Sequence, residues 1–387
     1  MLSDHRSVAW LGDAPGGGTD STKKQGMEVL RNKPNPALED MPMPKSTTPM
    51  DTKAAFVGID FHKRFSVVTV GNKDGEILNQ QRLSNDEHEV RKFFLRLSPV
   101  VCAIENCRGN EWFIETVKQC GSEIRVANTY AVRLIADSVK KNDKIDSRIL
   151  MELISRNYLP VCYQPSRNER ILRENLRWRT KLMRSRTQYK NVAHTVLDKE
   201  NKSANLSSVL GRNCLERESN LTKERHEQLE ECLAVIDFFE DKMTTRDRDL
   251  IHLARENPDV QLLKTIPGIG DISALMILAE LGDIARFKNA RHVAGYIGLV
   301  PRLYASSDVT RLGSITKKGP RTLRWILIQD AWTAVRTSKP FLNRYNTILK
   351  RRGKKTAIVA VARTIAEIAY YVLKDKKAFD EKRMTLG

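Results

Sequence analysis

The sequence Ala54-Ala55-Phe56-Val57-Gly58-Ile59-Asp60 is a short apolar run that ends in an acid. Residues 65–70 form a second run, rich in valine, and a turn at 71–75 joins it to a third short run at 76–78. Apolar runs of this length, bounded by glycine, asparagine and aspartate, predict strand, strand, turn and strand. Ordered structure is therefore expected to begin near Ala54.

Strands and helices are predicted to alternate over the next fifty residues. Residues 85–97 have a helical pattern, 100–105 form a buried strand that again ends in an acid, 110–120 are helical and 123–127 form a strand. This alternation indicates an α/β domain with a largely central sheet, which we place at residues 53–165.

The rest of the chain is predicted to be mostly helical. Leu229, Leu233, Ile236, Met243 and Leu250 step by 4, 3, 7 and 7 residues, which is the spacing of a coiled-coil seam. A basic helical stretch precedes this seam, so residues 166–257 are expected to form an antiparallel helical hairpin. Residues 258–375 are predicted to be a compact, mostly helical C-terminal domain, and residues 376–387 a short charged tail.

Residues 1–52 differ from the rest in composition. They hold six of the 14 prolines, three consecutive glycines at 16–18 and few large apolar residues. Such a segment buries too little surface to offset the conformational entropy lost on folding. It is predicted to be a disordered tail, or the product of a start codon set too early.

The charge of the chain indicates its class of partner. Its 387 residues carry 66 lysines and arginines against 47 acids, a formal net charge of +19. A surplus of this size favours a polyanion, most often nucleic acid. No apolar run is long enough to span a membrane, and the N-terminus lacks the apolar segment of a secretory signal. A cytoplasmic location and no membrane partner are therefore expected.

The cysteines are not predicted to take part in chemistry. They form no CxxC pair and no cluster with zinc-ligand spacing, so buried, reduced thiols are expected. The six positions are Cys102, Cys107, Cys120, Cys162, Cys214 and Cys232.

Four acids form the first candidate site. Asp60 and Glu105 each end a predicted strand, and Asp143 and Asp146 lie three residues apart at a predicted helix start, which places them on one helix face. Acids at the carboxyl ends of sheet strands lie where α/β folds place their sites. Four carboxylates that meet there need a cation, and two Mg²⁺ ions bridged by carboxylates activate in-line attack on phosphodiesters. His62 follows Asp60 closely and is a candidate phosphate contact.

Two further segments are candidate phosphate contacts. Residues 265–275 place Gly268 and Gly270 in a turn before a helix, as in a helix-hairpin-helix element, where free backbone N–H groups cradle a phosphate. Residues 302–324 carry six lysines and arginines against Asp308 and are rich in glycine and hydroxyl groups, which predicts a loop pressed on a phosphate backbone. A hydroxyl in such a basic pocket is a candidate nucleophile, although a hydrogen-bonding turn residue is the commoner case.

The helix that precedes the seam is also a candidate nucleic-acid surface. Residues 167–190 carry nine lysines and arginines against two glutamates, more than solvation of a helix face requires. Together with the two segments above, the residues expected to contact nucleic acid are Arg177, Arg179, Arg184, Arg186, Gly268, Gly270, Arg302, Arg311, Lys317, Lys318 and Arg321.

The order of these motifs resembles the DEDD recombinases of the insertion-sequence-110 family of mobile elements. The resemblance covers residues 54–375 and is carried by VGIDFHK at 57–63, AIE at 103–105, KNDKIDS at 141–147, TIPGIGDISA at 265–274, GLVPRLYASSDVTRLGSITKKGPRTLRW at 298–325 and KRRGKKTAIVAVARTIAEI at 350–368. It implies a RuvC-type, RNase H-like N-terminal domain, a coiled coil and a C-terminal transposase domain.

The resemblance also implies a mechanism. The family's four metal-binding acids match Asp60, Glu105, Asp143 and Asp146, and its nucleophilic serine matches Ser306, two residues after Tyr304. Family members are thought to cut DNA through a phosphoserine link, with the serine of one subunit completing the metal site of another. A structured bridge RNA supplies their target specificity.

The sequence therefore predicts a transposase that recombines DNA at the ends and target of an insertion sequence. Mg²⁺ is the expected cofactor, with Mn²⁺ as the alternative, and a guide RNA and a homodimer or homotetramer are the expected partners in a bacterial nucleoid. Ser307 and Asp308 stand where the family has glycines, and an acid there would repel the scissile phosphate. Two other readings stay open, a metal-only junction nuclease and a non-catalytic nucleic-acid-binding remnant of a transposase.

Overall fold

The computed structural model describes residues 54–97, 99–135, 142–206, 221–306 and 309–384. The chain divides into two compact units, Met1–Tyr163 and Gln164–Gly387, and each is described by itself. The predicted tail at residues 1–52 lies outside the described residues.

The first unit is a mixed five-stranded sheet with helices. Its strands are β1 (Phe56–Phe61), β2 (Phe65–Gly71), β3 (Ile77–Ser84), β4 (Val101–Glu105) and β5 (Glu123–Ala127), in the order β3-β2-β1-β4-β5. β1 pairs antiparallel with β2 and parallel with β4, and β5 extends the parallel half. Its helices are α1 (Glu87–Arg96), α2 (Glu111–Gln119), α3 (Thr129–Ile135) and α4 (Asp143–Ser155). The predicted α/β class of the N-terminal domain is confirmed, although β3 runs to Ser84 rather than ending at residue 78.

The sheet has a buried core on each face. Val57, Ile59 and Ile104 pack with Phe94 of α1 and Phe113 of α2 in one core. Residues of the opposite parity lie on the other face, where Ala103 and Ala127 pack with side chains of α4. Strand residues therefore alternate between the two helical layers.

Gly58 allows α4 to lie directly on β1. A Cβ atom at this position would stand 1.9 Å from the backbone oxygen of Ser147 and 2.9 Å from the Cβ of Met151. Polar contacts fix the same helix, since the Thr69 and Ser147 hydroxyls are 2.8 Å apart and Gln80 Nε2 donates to the Lys144 carbonyl at 2.9 Å. The first turn of α4 is thereby held against the carboxyl end of β1.

The second unit is mostly helical. Its helices are α5 (Arg167–Asp198), α6 (Lys223–Glu256), α7 (Pro258–Leu263), α8 (Asp271–Leu281), α9 (Ala290–Ile297), α10 (Arg321–Thr337) and α11 (Lys339–Asp375). The antiparallel strands β6 (Pro301–Ser306) and β7 (Val309–Ile315) form a two-stranded hairpin between α9 and α10. The prediction of an irregular loop at residues 302–324 is therefore wrong over residues 302–306 and 309–315, which belong to paired strands.

The long helices α5 and α6 run antiparallel along each other. Arg179 pairs with Asp247, Lys190 with Glu240 and Arg225 with Glu200, so residue numbers rise along one helix as they fall along the other. The heptad positions Leu229, Ile236, Met243 and Leu250 are all buried, and Leu233 is half-buried. The turn between these helices lies largely outside the described residues.

α11 is the one described helix long and apolar enough to span a membrane by composition. Its most apolar 18-residue window has a mean hydropathy of 1.5, and 61% of that window is buried inside the unit. Val361, Ile365 and Tyr370 belong to a large shared core with α8, α9 and α10. This burial is typical of the core helix of a globular protein.

The TIPGIG turn packs against the backbone of α10. Gly268 has φ +93°, and a Cβ there would stand 2.3 Å from the carbonyl oxygen of Asp330. One turn further on, the Ser273 hydroxyl donates to Asp330 Oδ1 at 2.7 Å, and the buried Asp330 Oδ2 has no hydrogen-bond partner among the described residues. Burial raises the pKa of Asp330 to about 7, against a smaller lowering by the Ser273 hydrogen bond.

This buried acid predicts a pH-dependent stability of the second unit. The unfolded carboxyl titrates near pH 4, so between about pH 4 and pH 7 the folded chain holds more protons, and the free energy of unfolding falls as pH rises. The contribution of Asp330 is complete below pH 4 and is lost by about pH 7, a change of at most about 4 kcal/mol. In urea unfolding from pH 4 to 8, Asp330→Asn is expected to flatten the profile, and Asp375→Asn, an exposed control, is not. Parallel profiles for wild type and Asp330→Asn would contradict this.

Candidate active site

Asp60 and Glu105 end neighbouring parallel strands on the same face of the sheet. β1 and β4 pair in register up to Ile59 and Ile104, and each acid is the next residue along its strand. Alternate residues of a strand face the same side of the sheet. Asp60 therefore lies on the same face as Gly58, and Glu105 on the same face as Ala103, which is the face that carries α4.

Asp143 and Asp146 lie in the first turn of α4. The Asn142 side chain caps this helix by accepting a hydrogen bond from the backbone N–H of Ile145 at 2.9 Å. Acids favour this position because the N-terminal end of a helix carries a partial positive charge. The contacts of α4 with β1 bring its two acids to the sheet edge where the strand acids end.

His62 contacts two of these carboxylates at once. Its Nε2 lies 3.1 Å from Asp60 Oδ2 and 3.2 Å from Asp143 Oδ2, and the three ligand atoms all lie within 4.8 Å of one another. Asp60 is the most buried of the three side chains, at 17% exposed, against 37% for His62 and 49% for Asp143. The sequence analysis gave His62 as a candidate phosphate contact and did not predict its contact with two carboxylates, although its spacing of two from Asp60 was a signal for such a contact.

The electrostatics of Asp60 show how close the acids are. Its pKa is raised to about 6, mainly by burial and also by the negative charges of Asp146 and Asp143, against a lowering by the charge and hydrogen bond of His62. Three carboxylates of one chain therefore repel one another at this point. A divalent cation relieves such repulsion, and carboxylate and imidazole groups are suitable ligands for it.

The pKa of Cys107 shows that Glu105, the fourth acid, lies near Asp60. The pKa of its thiol is raised to about 11, mainly by burial and also by the negative charges of Glu105 and Asp60. Both carboxylates therefore act on one sulfur atom just beyond the end of β4.

The expectation of a buried thiol is wrong for Cys107, which is exposed, and holds for Cys102 and Cys232. Cys214 lies outside the described residues.

Two family models match separate parts of the chain. A DEDD transposase model of the IS110 type matches residues 57–201, which include all four acids, and a model described as the transposase IS116/IS110/IS902 family matches residues 260–346. The chain belongs to the IS110 family of transposases. The resemblance inferred from the motifs is confirmed.

Two relatives of this transposase match along most of its length, and a third matches over about a third of it. It is 25% identical over 336 residues to the transposase for insertion sequence element IS1328 of Yersinia enterocolitica, covering 84% of this chain and 98% of the relative. It is 26% identical over 347 residues to the transposase for IS1111A of Coxiella burnetii, covering 84% and 90%. A pilin gene-inverting protein of Moraxella bovis is 30% identical over 149 residues, 37% of this chain and 46% of that protein.

The predicted nucleophile of this transposase lies at the end of a strand. Ser306 is the last residue of β6 and pairs with Val309, while Ser307 and Asp308 lie outside the described residues. Two residues earlier, Tyr304 pairs with Arg311, and its ring is 57% exposed. A Cβ at Gly313 would stand 2.8 Å from the Tyr304 ring, so the ring lies across the hairpin over this glycine. The predicted phosphate contacts Arg302, Arg311, Lys317, Lys318 and Arg321 are all exposed.

Three of the four arginines predicted on α5 are engaged within the protein. Arg177 forms two hydrogen bonds of 2.8 Å with the buried Glu280, and Arg179 contacts Asp247 at 2.6 and 2.9 Å. Arg186 pairs with Glu240 at 3.5 Å. A carboxylate of the same chain partly offsets the charge of each of these three guanidinium groups, and their contact with nucleic acid stays a prediction. Arg184 differs, since it pairs with none of the described carboxylates and its guanidinium lies 5.7 Å from the Trp325 ring centroid.

The two glycines of the TIPGIG turn differ in what they contact. Gly268 is required by the close approach of α10, which accounts for its presence without a ligand. Gly270 is exposed, caps the N-terminus of α8 and has open space around it, so it remains the candidate for a phosphate contact. Lys264 lies 2.7 Å from Asp271 at the first position of that helix.

Proposed function

We propose that this transposase cuts and rejoins DNA at the ends of an insertion sequence, using a divalent metal held by Asp60, Glu105, Asp143 and Asp146 and the hydroxyl of Ser306 as nucleophile. The observation that carries the proposal is the meeting of Asp60 and Asp143 within 4.8 Å around His62, in the segment that matches the DEDD model. The order of the strands and the position of α4 are consistent with a RuvC-type, RNase H-like domain.

The residues divide the chemistry between them. Ser306 Oγ loses its proton and attacks phosphorus, the P–O bond to the adjoining nucleotide breaks, and the leaving oxygen takes up a proton. The product is a phosphoserine linked to one DNA end, and attack by a hydroxyl of another DNA end restores the serine. A metal bound by the four acids would stabilise the charge on the pentacovalent phosphorus and the leaving oxygen. Arg302, Arg311, Lys317, Lys318 and Arg321 would bind the flanking phosphates.

Trapping a covalent adduct tests this proposal. Full-length protein is incubated with labelled duplex DNA that carries the element ends, with Mg²⁺ or Mn²⁺, and is then denatured. The proposal expects a labelled protein band that requires metal. Cleavage without any adduct would instead support the metal-only nuclease, with water as nucleophile.

Several partners belong to the same proposal. We infer a bridge RNA that selects the target by base pairing, a coiled coil formed by α5 and α6, and a homo-oligomer in which the serine of one subunit completes the metal site of another. The expected cellular location is the bacterial nucleoid. The heptad burial on α6 supports the coiled coil, and the net charge of +19 supports nucleic-acid partners.

His62 predicts a preference for Mn²⁺ over Mg²⁺. An imidazole nitrogen beside two carboxylates suits a transition metal better than Mg²⁺, which prefers oxygen ligands. His62→Asn is expected to weaken Mn²⁺ binding roughly tenfold and Mg²⁺ binding much less, in calorimetric titrations of the full chain. His88→Asn, on the exposed face of α1, is the matched control and should change neither. Equal losses for both metals would assign His62 to packing or phosphate contact.

A further inference from the structure

The break in α11 carries the densest positive charge in the described second unit. Residues 349–356 are eight consecutive exposed residues with no acid among them, and five of them are the cations Lys350, Arg351, Arg352, Lys354 and Lys355. We call these five the kink cluster. None of them forms an ion pair with a described carboxylate. A segment that is exposed on all sides gains little stability from packing against the core.

The kink cluster is held in place despite its own repulsion. Lys350, Arg351 and Arg352 directly precede Gly353, and Lys354 and Lys355 directly follow it, so five like charges lie within six residues and repel one another. Gly353 interrupts the helix with φ +78° and ψ 168°, a conformation that favours glycine. Buried residues fix the chain on both sides, with Phe341 and Tyr345 before the break and Ala357 and Ile358 after it. The core therefore presents a repulsive cluster in a fixed geometry.

A further cation, Arg184 of α5, lies on the same side of the unit as the kink cluster, and two tryptophans of α10 connect them. Lys354 Nζ lies 5.4 Å from the centroid of the half-buried Trp332 ring. Trp325 precedes Trp332 by seven residues, two helical turns or roughly 10 Å along the same face, and lies under Arg184. Positive charge therefore extends along one side of the unit from α5 to the break in α11.

We propose that this surface binds the phosphate backbone of duplex DNA, without reading its sequence. The inference rests on the proposed function, since it assumes that DNA ends are the substrate. Lysine and arginine contacts to phosphate position a duplex but carry no sequence information. Single strands and RNA loops are held by bases stacked on open aromatic faces. Here both tryptophan rings are half-buried and have cations over them, which leaves charge as the means of contact.

Salt dependence of DNA binding tests the surface. Each phosphate neutralised on duplex DNA contributes about −0.9 to the slope of log affinity against log salt concentration. Changing all five kink-cluster residues to glutamine is expected to reduce the slope of the full chain by roughly 3 to 4 and to weaken binding more than about tenfold at low salt. The measurement is fluorescence anisotropy with a random-sequence 30-base-pair duplex, and thermal melting checks that each variant is folded.

A matched variant separates position from total charge. Arg248, Arg255, Lys288, Arg291 and Lys377 are exposed cations scattered over the same unit, and their replacement by glutamine removes the same five charges. This control is expected to change the slope by less than about 1. Equal effects of the two variants, an unchanged slope in the kink-cluster variant, or a loss confined to single-stranded DNA or duplex RNA would each overturn the proposal.

The two proposals fail independently. At saturating protein, the kink-cluster variant should still form the covalent adduct, because Ser306 and the acids are intact. Ser306→Ala should bind duplex DNA with the wild-type salt slope and form no adduct. A reduced salt slope together with normal adduct formation in the kink-cluster variant supports the DNA-binding surface. Strand transfer by the Ser306→Ala variant with a wild-type salt slope would rule out the serine mechanism and would not affect the proposed surface.

Discussion

Ser306→Ala is expected to abolish strand transfer and the covalent protein–DNA adduct, by at least about a thousandfold, while DNA binding and metal affinity stay near wild type. The substitution removes the one oxygen proposed to attack phosphorus and no metal ligand. Strand transfer is measured by joining of labelled element ends, and the adduct by its mobility after denaturation. If this variant cuts and joins DNA at the wild-type rate, Ser306 is not the nucleophile and the metal-only nuclease becomes the favoured function.

Two neighbouring substitutions sharpen this result. Ser307→Ala is the matched control, since it deletes a hydroxyl one residue away, and it is expected to be mild or even to increase activity because it approaches the glycine usual in the family. Ser306→Cys is expected to keep a trace of cleavage, because a thiolate attacks phosphorus poorly. An inactive Ser307→Ala beside an active Ser306→Ala would move the nucleophile by one position.

Asp60→Asn is expected to lower cleavage by a similar factor, at least about a thousandfold, and to remove high-affinity metal binding. Asp60 is the most buried of the three side chains that meet at His62, and the negative charges of Asp143 and Asp146 act on its carboxyl group, so its loss removes the most buried of the proposed ligands. Metal binding is measured by calorimetry and cleavage on labelled duplex. Asp74→Asn, in the exposed turn between β2 and β3, is the control and should behave as wild type.

Mixing inactive variants tests how the site is shared. If the serine and the acids of one site come from different subunits, Ser306→Ala protein mixed with Asp60→Ala protein should recover part of the wild-type activity. Neither variant is active alone, so any product reports a site assembled from two chains. Mixtures that stay inactive while the variants form mixed oligomers would show that each chain supplies its own serine.

Much of the first unit was predictable because local patterns agree with the tertiary fold. The run that ends at Asp60 forms β1, the run that ends at Glu105 forms β4, and the strand predicted at residues 123–127 has the bounds of β5. Parallel pairing of adjacent strands then carries their terminal acids to one edge. The spacing of Asp143 and Asp146 likewise placed both acids in one helical turn.

The second unit was predicted less well because its charges find partners far away in sequence. Arg177 and Glu280 are 103 residues apart, and Arg179 and Asp247 are 68 apart, so no local pattern separates these carboxylate-paired arginines from Arg184, which pairs with none of the described carboxylates. The same limit applies to β6 and β7, whose glycines and hydroxyl groups resemble a loop until the strands pair.

The sequence by itself determined the α/β class of the first unit, the family, and the four acids at strand and helix ends, since period, spacing and motif order are local properties. Only the tertiary structure decided that His62 contacts both Asp60 and Asp143, that the charges of Glu105 and Asp60 raise the pKa of Cys107, and which cations remain exposed. Ion pairing and burial depend on distances between residues far apart in the chain, and packing of the core fixes those distances.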